Sequence, residues 1–409
     1  MMDNEMKYQD NIILTENNYI QYETDLSNLY NKVFEEPPYN EKLSSEELKK
    51  KFQKWFTRKD NMVILKLENE TPISFCVGYR ACCVEEEKEE DGSPKDGWET
   101  WKTIKKKLNL REIYFIDELG TLLEHQGQGY ATKLMEHLIY SNTDQYSKFL
   151  LKTRKNSKAV ELYEDKFHFN RLNSRLQPRN YIFFYLDKTI KKVRYMMLLP
   201  AKVNVCGEEL VNVNHYNKEI LLQKADIGLF PYENGGEYGK VREEVAKKLS
   251  RVNEKLMKRY EHYRLNVSYG FRSMDIQNRA FHEQREKMAK KKMTFNTLYD
   301  FVEEIHRFIA VPTVAGHPTG GAVDLTIKDI ERDDFLDMGS LIYEFSSDRV
   351  TWEAKGLTLE QKRNRQILYD LMVSEGFAPF WGEWWHYSYG DREWSVYYNK
   401  PHAIYDQIK

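Results

Sequence analysis

Ala315-Gly316-His317-Pro318-Thr319-Gly320-Gly321-Ala322-Val323-Asp324-Leu325-Thr326-Ile327, followed further on by Gly382-Glu383-Trp384-Trp385-His386, is the part of this chain that decides its reading. Gly320-Gly321 beside the alternating Ala322, Val323, Leu325 and Ile327 predicts a tight turn running into a buried strand. An Asp in such a strand is costly to bury unless it is paired or bound to a metal. His317, Asp324 and His386 together supply nitrogen and oxygen ligands of the kind a catalytic zinc takes, three from the protein with a fourth position left for water. Glu383, a carboxylate outside that set, is the candidate to take a proton from the water. Each half of the pattern has a plainer reading. The chain has 10 His and 64 acidic residues, so a Glu-x-x-His arises by chance. His386 also reads as a member of the aromatic cluster Trp381, Trp384, Trp385, Tyr387 and Tyr389, and His317 as a turn residue before Pro318. The two blocks together point to a metal.

Composition sets the bounds. At 409 residues the chain accommodates two or three domains, and 41% hydrophobic with 14% aromatic residues allows substantial cores. A formal net charge of −2 argues against a nucleic-acid footprint. The start, Met1-Met2-Asp3-Asn4-Glu5-Met6-Lys7, is polar and has no apolar signal region. Apolar runs such as Tyr181-Ile182-Phe183-Phe184-Tyr185-Leu186 are strand-length, so no spanning helix and no membrane partner are expected. Cys76, Cys82, Cys83 and Cys206 fit neither a Cys-x-x-Cys zinc site nor a disulfide framework. A cytoplasmic protein is the expectation.

The N-terminal half alternates helical and strand patterns. Helices are predicted over 17–34 and from Ser44 or Ser45 as cap, with paired strands over 62–67 and 73–82. Residues 85–97 read as an exposed, charged loop, and Lys290-Lys291-Lys292 as a solvated turn. A strand over 112–123 runs into Gln126-Gly127-Gln128-Gly129-Tyr130-Ala131 and then a helix. Strands over 148–153 and 181–186 flank a helix over 157–167. The strand–glycine loop–helix order is a phosphate cradle: the backbone turns tightly and the free N–H groups of the helix start face an anion. It is neither a Rossmann fingerprint nor a P-loop, and an ordinary strand-to-helix turn is the plain alternative. In the second half, Val241, Val245, Leu249, Val252, Leu256 and Tyr260 predict one long amphipathic helix, with further helices over 276–288 and 297–308.

Two resemblances follow from these motifs. The His317–Asp324 and Glu383–His386 blocks, with Tyr269-Gly270-Phe271-Arg272-Ser273 and Leu336-Asp337-Met338-Gly339-Ser340, resemble the D-alanyl-D-alanine dipeptidases, zinc metallopeptidases of the hedgehog/DD-peptidase fold. The likeness covers roughly residues 200–409, and it departs where the family often has Ser and this chain has Ala315. It implies zinc on His317, Asp324 and His386, Glu383 as the base, and Arg272 donating to the developing oxyanion. It also implies Asp337 as receiver of the substrate ammonium, although a helix-capping Asp is an equally good reading. The implied substrate is D-alanyl-D-alanine or a closely related free dipeptide, and its stereochemistry comes from the resemblance alone. A DD- or LD-carboxypeptidase acting on muropeptides and a zinc-stabilised, non-catalytic sensor module are the alternatives.

Residues 10–187 resemble the GNAT-type N-acetyltransferases through Gln126, Gly127, Gln128, Gly129, Tyr130 and Ala131 and through Asn156-Ser157-Lys158-Ala159-Val160-Glu161-Leu162-Tyr163. That likeness implies acetyl-CoA with its pyrophosphate on the glycine loop, a base at Glu118 or its neighbour Asp117, and Tyr163 protonating the leaving thiolate. A half-buried core tyrosine is the alternative for Tyr163. The expectation is a two-domain bifunctional enzyme: 1–188, an α/β GNAT-like mixed sheet with helices on both faces, and 189–409, an α+β zinc peptidase domain. The oligomeric state and the acetyl acceptor are not legible.

Overall fold

The computed structural model describes residues 11–85, 96–172, 180–223, 237–290 and 295–408. The polar N-terminal stretch, the acidic run of the 85–97 loop from 86 to 95, and Lys291-Lys292 lie outside the described residues. The chain divides into two compact units, Met1–Thr189 and Ile190–Lys409.

In the first unit, β1 (Asn11–Leu14), β2 (Met62–Glu68), β3 (Thr71–Arg80), β4 (Ile113–Thr121), β5 (Lys148–Arg154), β6 (Asn170–Arg171) and β7 (Tyr181–Asp187) form one sheet. Its order is β1-β2-β3-β4-β5-β7-β6. The β4–β5 pair is parallel and the other pairs antiparallel, so the sheet is mixed. A parallel pair needs a crossover, and the helix Tyr130–Asn142 supplies it. Val63 and Leu65 join a core with Leu26, Leu29, Phe52 and Trp55 of the helices Glu23–Phe34 and Ser45–Thr57. Ile64 between them is equally buried on the opposite face. Both faces are covered, which is why these strands read as nearly continuous apolar runs. Ser44 starts its helix with a reciprocal cap: its hydroxyl accepts from the Glu47 N–H and its own N–H donates to the Glu47 carboxylate.

Pairing between β4 and β5 runs from Ile113↔Lys148 to Ile116↔Leu151 and stops there, although both strands continue. A bulge in the β3–β4 register, between Val77↔Glu118 and Gly78↔Ile116, leaves Asp117 unpaired at that point. Two expectations need adjustment here. The helix over 157–167 is a single short turn, Ala159–Glu161, followed by a π-helical Leu162–Lys166. The strand over 112–123 is trimmed to Ile113–Thr121, because Leu123–His125 tightens into a 3₁₀ turn.

In the second unit, β8 (Leu210–Asn212) pairs with β10 (Lys240–Arg242). The main sheet joins β9 (Leu221–Leu222), β11 (Tyr263–Tyr269), β12 (Ala322–Asp329), β13 (Asp334–Phe335), β14 (Ala378–Pro379) and β15 (His386–Ser388). Its order is β14-β15-β12-β11-β9, with β13 on β12. The helices Glu243–Arg259 and Leu359–Ser374 bury Val245, Leu249, Val252, Leu256, Leu368 and Met372 in one core with Leu265, Val267, Leu325 and Ile327. The long apolar stripe therefore packs against the sheet, but Val241 is not its first turn. Val241 pairs with Val211 in β10, and the helix begins at Glu243. Among the described residues, no helix is long and apolar enough to cross a membrane.

Candidate active site

β12 carries the centre of the site. Its Asp324 lies opposite Tyr269 of β11 on one side and His386 of β15 on the other. His317 precedes it in a single turn, His317–Thr319, and Gly320 at φ 74 closes that turn in the left-handed region where a side chain is strained. The result is a group of buried donors, His317, Asp324 and His386, whose ligand atoms all lie within 4.8 Å of one another. His317 Nε2 is 3.1 Å from Asp324 Oδ2, and His386 Nδ1 is 2.9 Å from Asp324 Oδ1. The Gly270 carbonyl sits 2.7 Å from His317 Nδ1. Accepting the Nδ1 proton would fix the tautomer that leaves Nε2 free to ligate.

Charge is concentrated here in a dry setting. Burial raises the Asp324 carboxyl, but His317 and His386 outweigh it and hold it far below the usual carboxylate range. Burial and the Arg272 charge depress His317 to about 4, against the pull of Asp324. Burial also disfavours the charged form of His386, yet the bond to Asp324 and the nearby carboxylates lift it to about 9. Glu383 lines the same cavity, and burial pushes its carboxyl up to about 8. Arg272 lines it too, with Nη1 donating to Gln277 Oε1 at 2.9 Å and Nη2 3.9 Å from Asp324 Oδ2. Gln277 is fixed in turn by donating to the Ala310 carbonyl at 2.7 Å. Leu198, Phe308, Phe345 and Phe380 supply apolar wall.

The fold therefore brings together His317, Asp324, His386, Glu383 and Arg272. It does not bring Asp337 there. Asp337 is exposed; its Oδ1 accepts from the Gly339 N–H at 2.8 Å and its Oδ2 from Gln361 Nε2 at 2.9 Å. It closes a turn of its own and ties that turn to the helix Leu359–Ser374, whose cap is Thr358, so it neither caps a helix nor lines the cavity. Among the cavity residues that were not read from the sequence are the polar Gln277, His306, Tyr343 and Glu393. Tyr343 donates its phenol to Asp324 Oδ2 at 2.6 Å. Glu393 Oε2 lies 3.7 Å from His386 Nε2.

In the first unit, Gly129 caps the helix Tyr130–Asn142 at φ 82 and Gly127 has φ 78. A Cβ at either would meet nothing within 4 Å, so the loop presents bare backbone to open space. No acidic residue occupies the first turn, whose N–H groups have no intrahelical partners. Gln126 Nε2 donates to the Thr121 carbonyl at 3.3 Å and Gln128 Nε2 to the Glu124 carbonyl at 3.4 Å, which steadies the loop from both sides. Glu118 accepts from Lys51 Nζ at 2.8 Å and from the Tyr30 hydroxyl at 3.2 Å, and burial lifts its carboxyl to about 7 against the pull of Lys51. Asp117 pairs with Arg58 Nη1 at 3.2 Å and lines a cavity with Tyr79, Trp101, Phe115 and Lys152. Tyr163 is buried, with ring centroids 6.2 Å from Phe169 and 5.8 Å from Phe184, and burial raises its hydroxyl well above the usual range.

Comparison with known proteins agrees with this division. Residues 241–408 match the D-ala-D-ala dipeptidase family, and residues 24–169 match the acetyltransferase (GNAT) family. The D-alanyl-D-alanine dipeptidase of Synechocystis sp. is 27% identical over 237 residues, covering 51% of this chain and 93% of that protein. That of Enterococcus faecalis is 32% identical over 90 residues, covering 22% of this chain and 44% of the relative. Among solved structures, an acetyltransferase from Thermus thermophilus overlaps 44% of this chain and 96% of its own, at 10% identity and a TM-score of 0.32. The ribosomal-protein-S18-alanine N-acetyltransferase from Escherichia coli overlaps 44% and 96%, at 12% identity and a TM-score of 0.30. Residues 241–408 thus belong to the D-ala-D-ala dipeptidase family and residues 24–169 to the GNAT family, so that one chain joins a hydrolase domain to an acetyltransferase domain.

Proposed function

We propose that the second unit is a zinc-dependent dipeptidase for D-alanyl-D-alanine or a closely related free dipeptide. The observation that carries this reading is the convergence of two imidazoles and a carboxylate, all buried within 4.8 Å of one another, on a cavity that also holds Glu383 and Arg272. Two nitrogens and one oxygen suit zinc and leave room for a further ligand. His317, Asp324 and His386 would hold it. Zinc, when bound, lowers the pKa of a water and polarises the scissile carbonyl.

The chain's own residues do the rest. Glu383 takes a proton from the attacking water and hands one to the departing amine. Its raised affinity for a proton suits the transfer to the departing amine, and the positive charge of a bound zinc would favour the carboxylate form that accepts from water. Arg272, held by Gln277, would donate to negative charge developing on the carbonyl oxygen. The site residues are buried and phenylalanines supply part of the cavity wall, a setting in which each of these interactions is stronger than in water.

The first test is metal analysis and turnover. One zinc per chain is expected after reconstitution, with amine released from D-Ala-D-Ala faster than from L-Ala-L-Ala or N-acetylated dipeptides. Absence of zinc after reconstitution would refute the reading. Metal uptake should also be pH-linked. His386, held at about 9, carries a proton at pH 7 that a ligand must lose. Titration calorimetry at pH 7 in buffers of different ionisation enthalpy should therefore show release of at least one proton. Apparent affinity should rise with pH up to about 9. Release of no proton would show that His386 is already neutral before the metal binds.

For the first unit we propose transfer of an acetyl group from acetyl-CoA to an amine. The pyrophosphate would sit on the N–H groups of residues 127–131. Glu118 would serve as base, and Tyr163, a buried phenol that keeps its proton, would protonate the leaving thiolate. The bare glycine loop at a helix start supports this assignment.

A further inference from the structure

Asp324 is held by more than the two imidazoles. Its Oδ2 accepts from the Tyr343 hydroxyl at 2.6 Å, the shortest of its contacts, while His317 Nε2 lies at 3.1 Å and Arg272 Nη2 at 3.9 Å from the same oxygen. Tyr343 reaches this position from an unusual backbone. Its φ is 64, in the left-handed region that bulky L residues rarely adopt. The Phe345 N–H donates to the Tyr343 carbonyl at 2.8 Å, which keeps the chain tightly turned there. The ring is 3% exposed and packs edge-on against Trp385, with centroids 5.7 Å apart. Trp385 lies between Glu383 and His386 in sequence. One aromatic ring therefore touches the segment that carries the base and the third ligand, while its hydroxyl holds the second ligand.

We infer that Tyr343 is a positioning residue for Asp324. Its hydroxyl occupies one lone pair of one carboxylate oxygen and fixes the carboxylate plane. The remaining lone pairs are then presented to the metal in a set direction. This rests on the zinc reading proposed above. The plainer account is a buried tyrosine whose hydroxyl needed some acceptor. A strained backbone and an acceptor already shared by two imidazoles and a guanidinium are an expensive way to meet that need. Partners that orient metal ligands typically change metal affinity by about 10–100-fold when removed.

Tyr343→Phe in the full chain is the test, since it removes one oxygen atom and leaves the ring that packs on Trp385. Zinc affinity is measured by competition with a chromogenic chelator. The visible spectrum of the cobalt-substituted protein and the melting temperatures with and without zinc are measured alongside. The expected result is zinc binding weakened by about 10–100-fold, a shifted cobalt spectrum, and a smaller gain in melting temperature on adding zinc. At saturating zinc, kcat should change less than the affinity does. Unchanged affinity and cobalt spectrum, with both melting temperatures lowered together, would show that Tyr343 only fills the core. Unchanged affinity with a large fall in kcat would place the hydroxyl on the substrate, which also overturns the inference. Wild-type protein that takes up no zinc would sink the zinc reading itself. Wild-type protein that binds zinc beside a variant that binds equally well sinks only the role of Tyr343.

Discussion

Replacing Glu383 with Gln should leave zinc bound and lower dipeptide hydrolysis by about 10²-fold or more, the usual scale for loss of a general base. The amide keeps the size and shape of the carboxylate in a closed wall, so the cavity and the nearby histidines keep their places. It cannot accept the proton that water must lose. The environment makes this a sharp test. Glu383 is buried, and its carboxyl is lifted to about 8 with His386 pulling it back. A proton is therefore exchanged at little cost near neutral pH. Glu383 is not one of the three proposed ligands, so metal affinity should stay within a few-fold of wild type. Zinc content by elemental analysis and kcat on D-Ala-D-Ala are the two readings. Hydrolysis within tenfold of wild type, with zinc retained, would remove Glu383 from the role of base.

The second large effect is expected in the other unit. Gly129→Glu should abolish acetyl-CoA binding measured by calorimetry on the full chain. Two costs combine. At φ 82 any L side chain is strained, by roughly 1–2 kcal/mol. The new side chain also projects into the open space above the loop, where a carboxylate would repel the pyrophosphate. Gly129→Ala separates the two, because it carries the strain without the charge or the reach, and it should weaken binding much less. If the Glu variant binds acetyl-CoA as wild type does, the glycine loop is not the seat of the pyrophosphate.

How much of this was legible in the sequence depended on what each residue has to satisfy. His317, Asp324 and His386 stood out because few folds place an Asp inside an apolar strand next to a glycine turn without giving it a cation. Arg272 was found only through resemblance, since an Arg after a strand has no local signature. Tyr343, Gln277 and Glu393 gave no signal at all. Each acts through a contact with a residue far away in the chain, and nothing in Leu341-Ile342-Tyr343-Glu344 announces a phenol aimed at a carboxylate. Asp337 went the other way. Its place in a motif suggested a substrate contact, while the competing demand of a turn N–H and Gln361 decided its position.

Among the elements, the strand Tyr263–Tyr269 is legible in the alternation of Leu265, Val267 and Tyr269 with Arg264, Asn266 and Ser268, a signal absent from the expectations above. The helix Leu359–Ser374 is hard to read from the sequence because it buries polar Gln361, Asn364 and Arg365 beside its leucines, which blurs the apolar stripe. The apolar spacing of the long helix extends back into β10, because Val241 continues it while pairing with Val211. Periodicity cannot distinguish a last strand residue from a first helical one.

The register of β12 has a consequence for how the protein matures. Asp324 faces His386 only if β12 and β15 are in step, and it faces Tyr269 only if β11 is in step as well. A slip of one residue would turn Asp324 to the other side of the sheet. Tyr269 and His386 are remote from Asp324 in the chain, so the complete ligand set exists only once the sheet has closed. On the proposed reading, zinc would reward only the finished arrangement and would act as a proofreader of strand alignment. At a free concentration about 100 times its dissociation constant it would favour the correctly aligned form by about 2.7 kcal/mol. Misaligned sheets, lacking the site, would be left to unfold and try again.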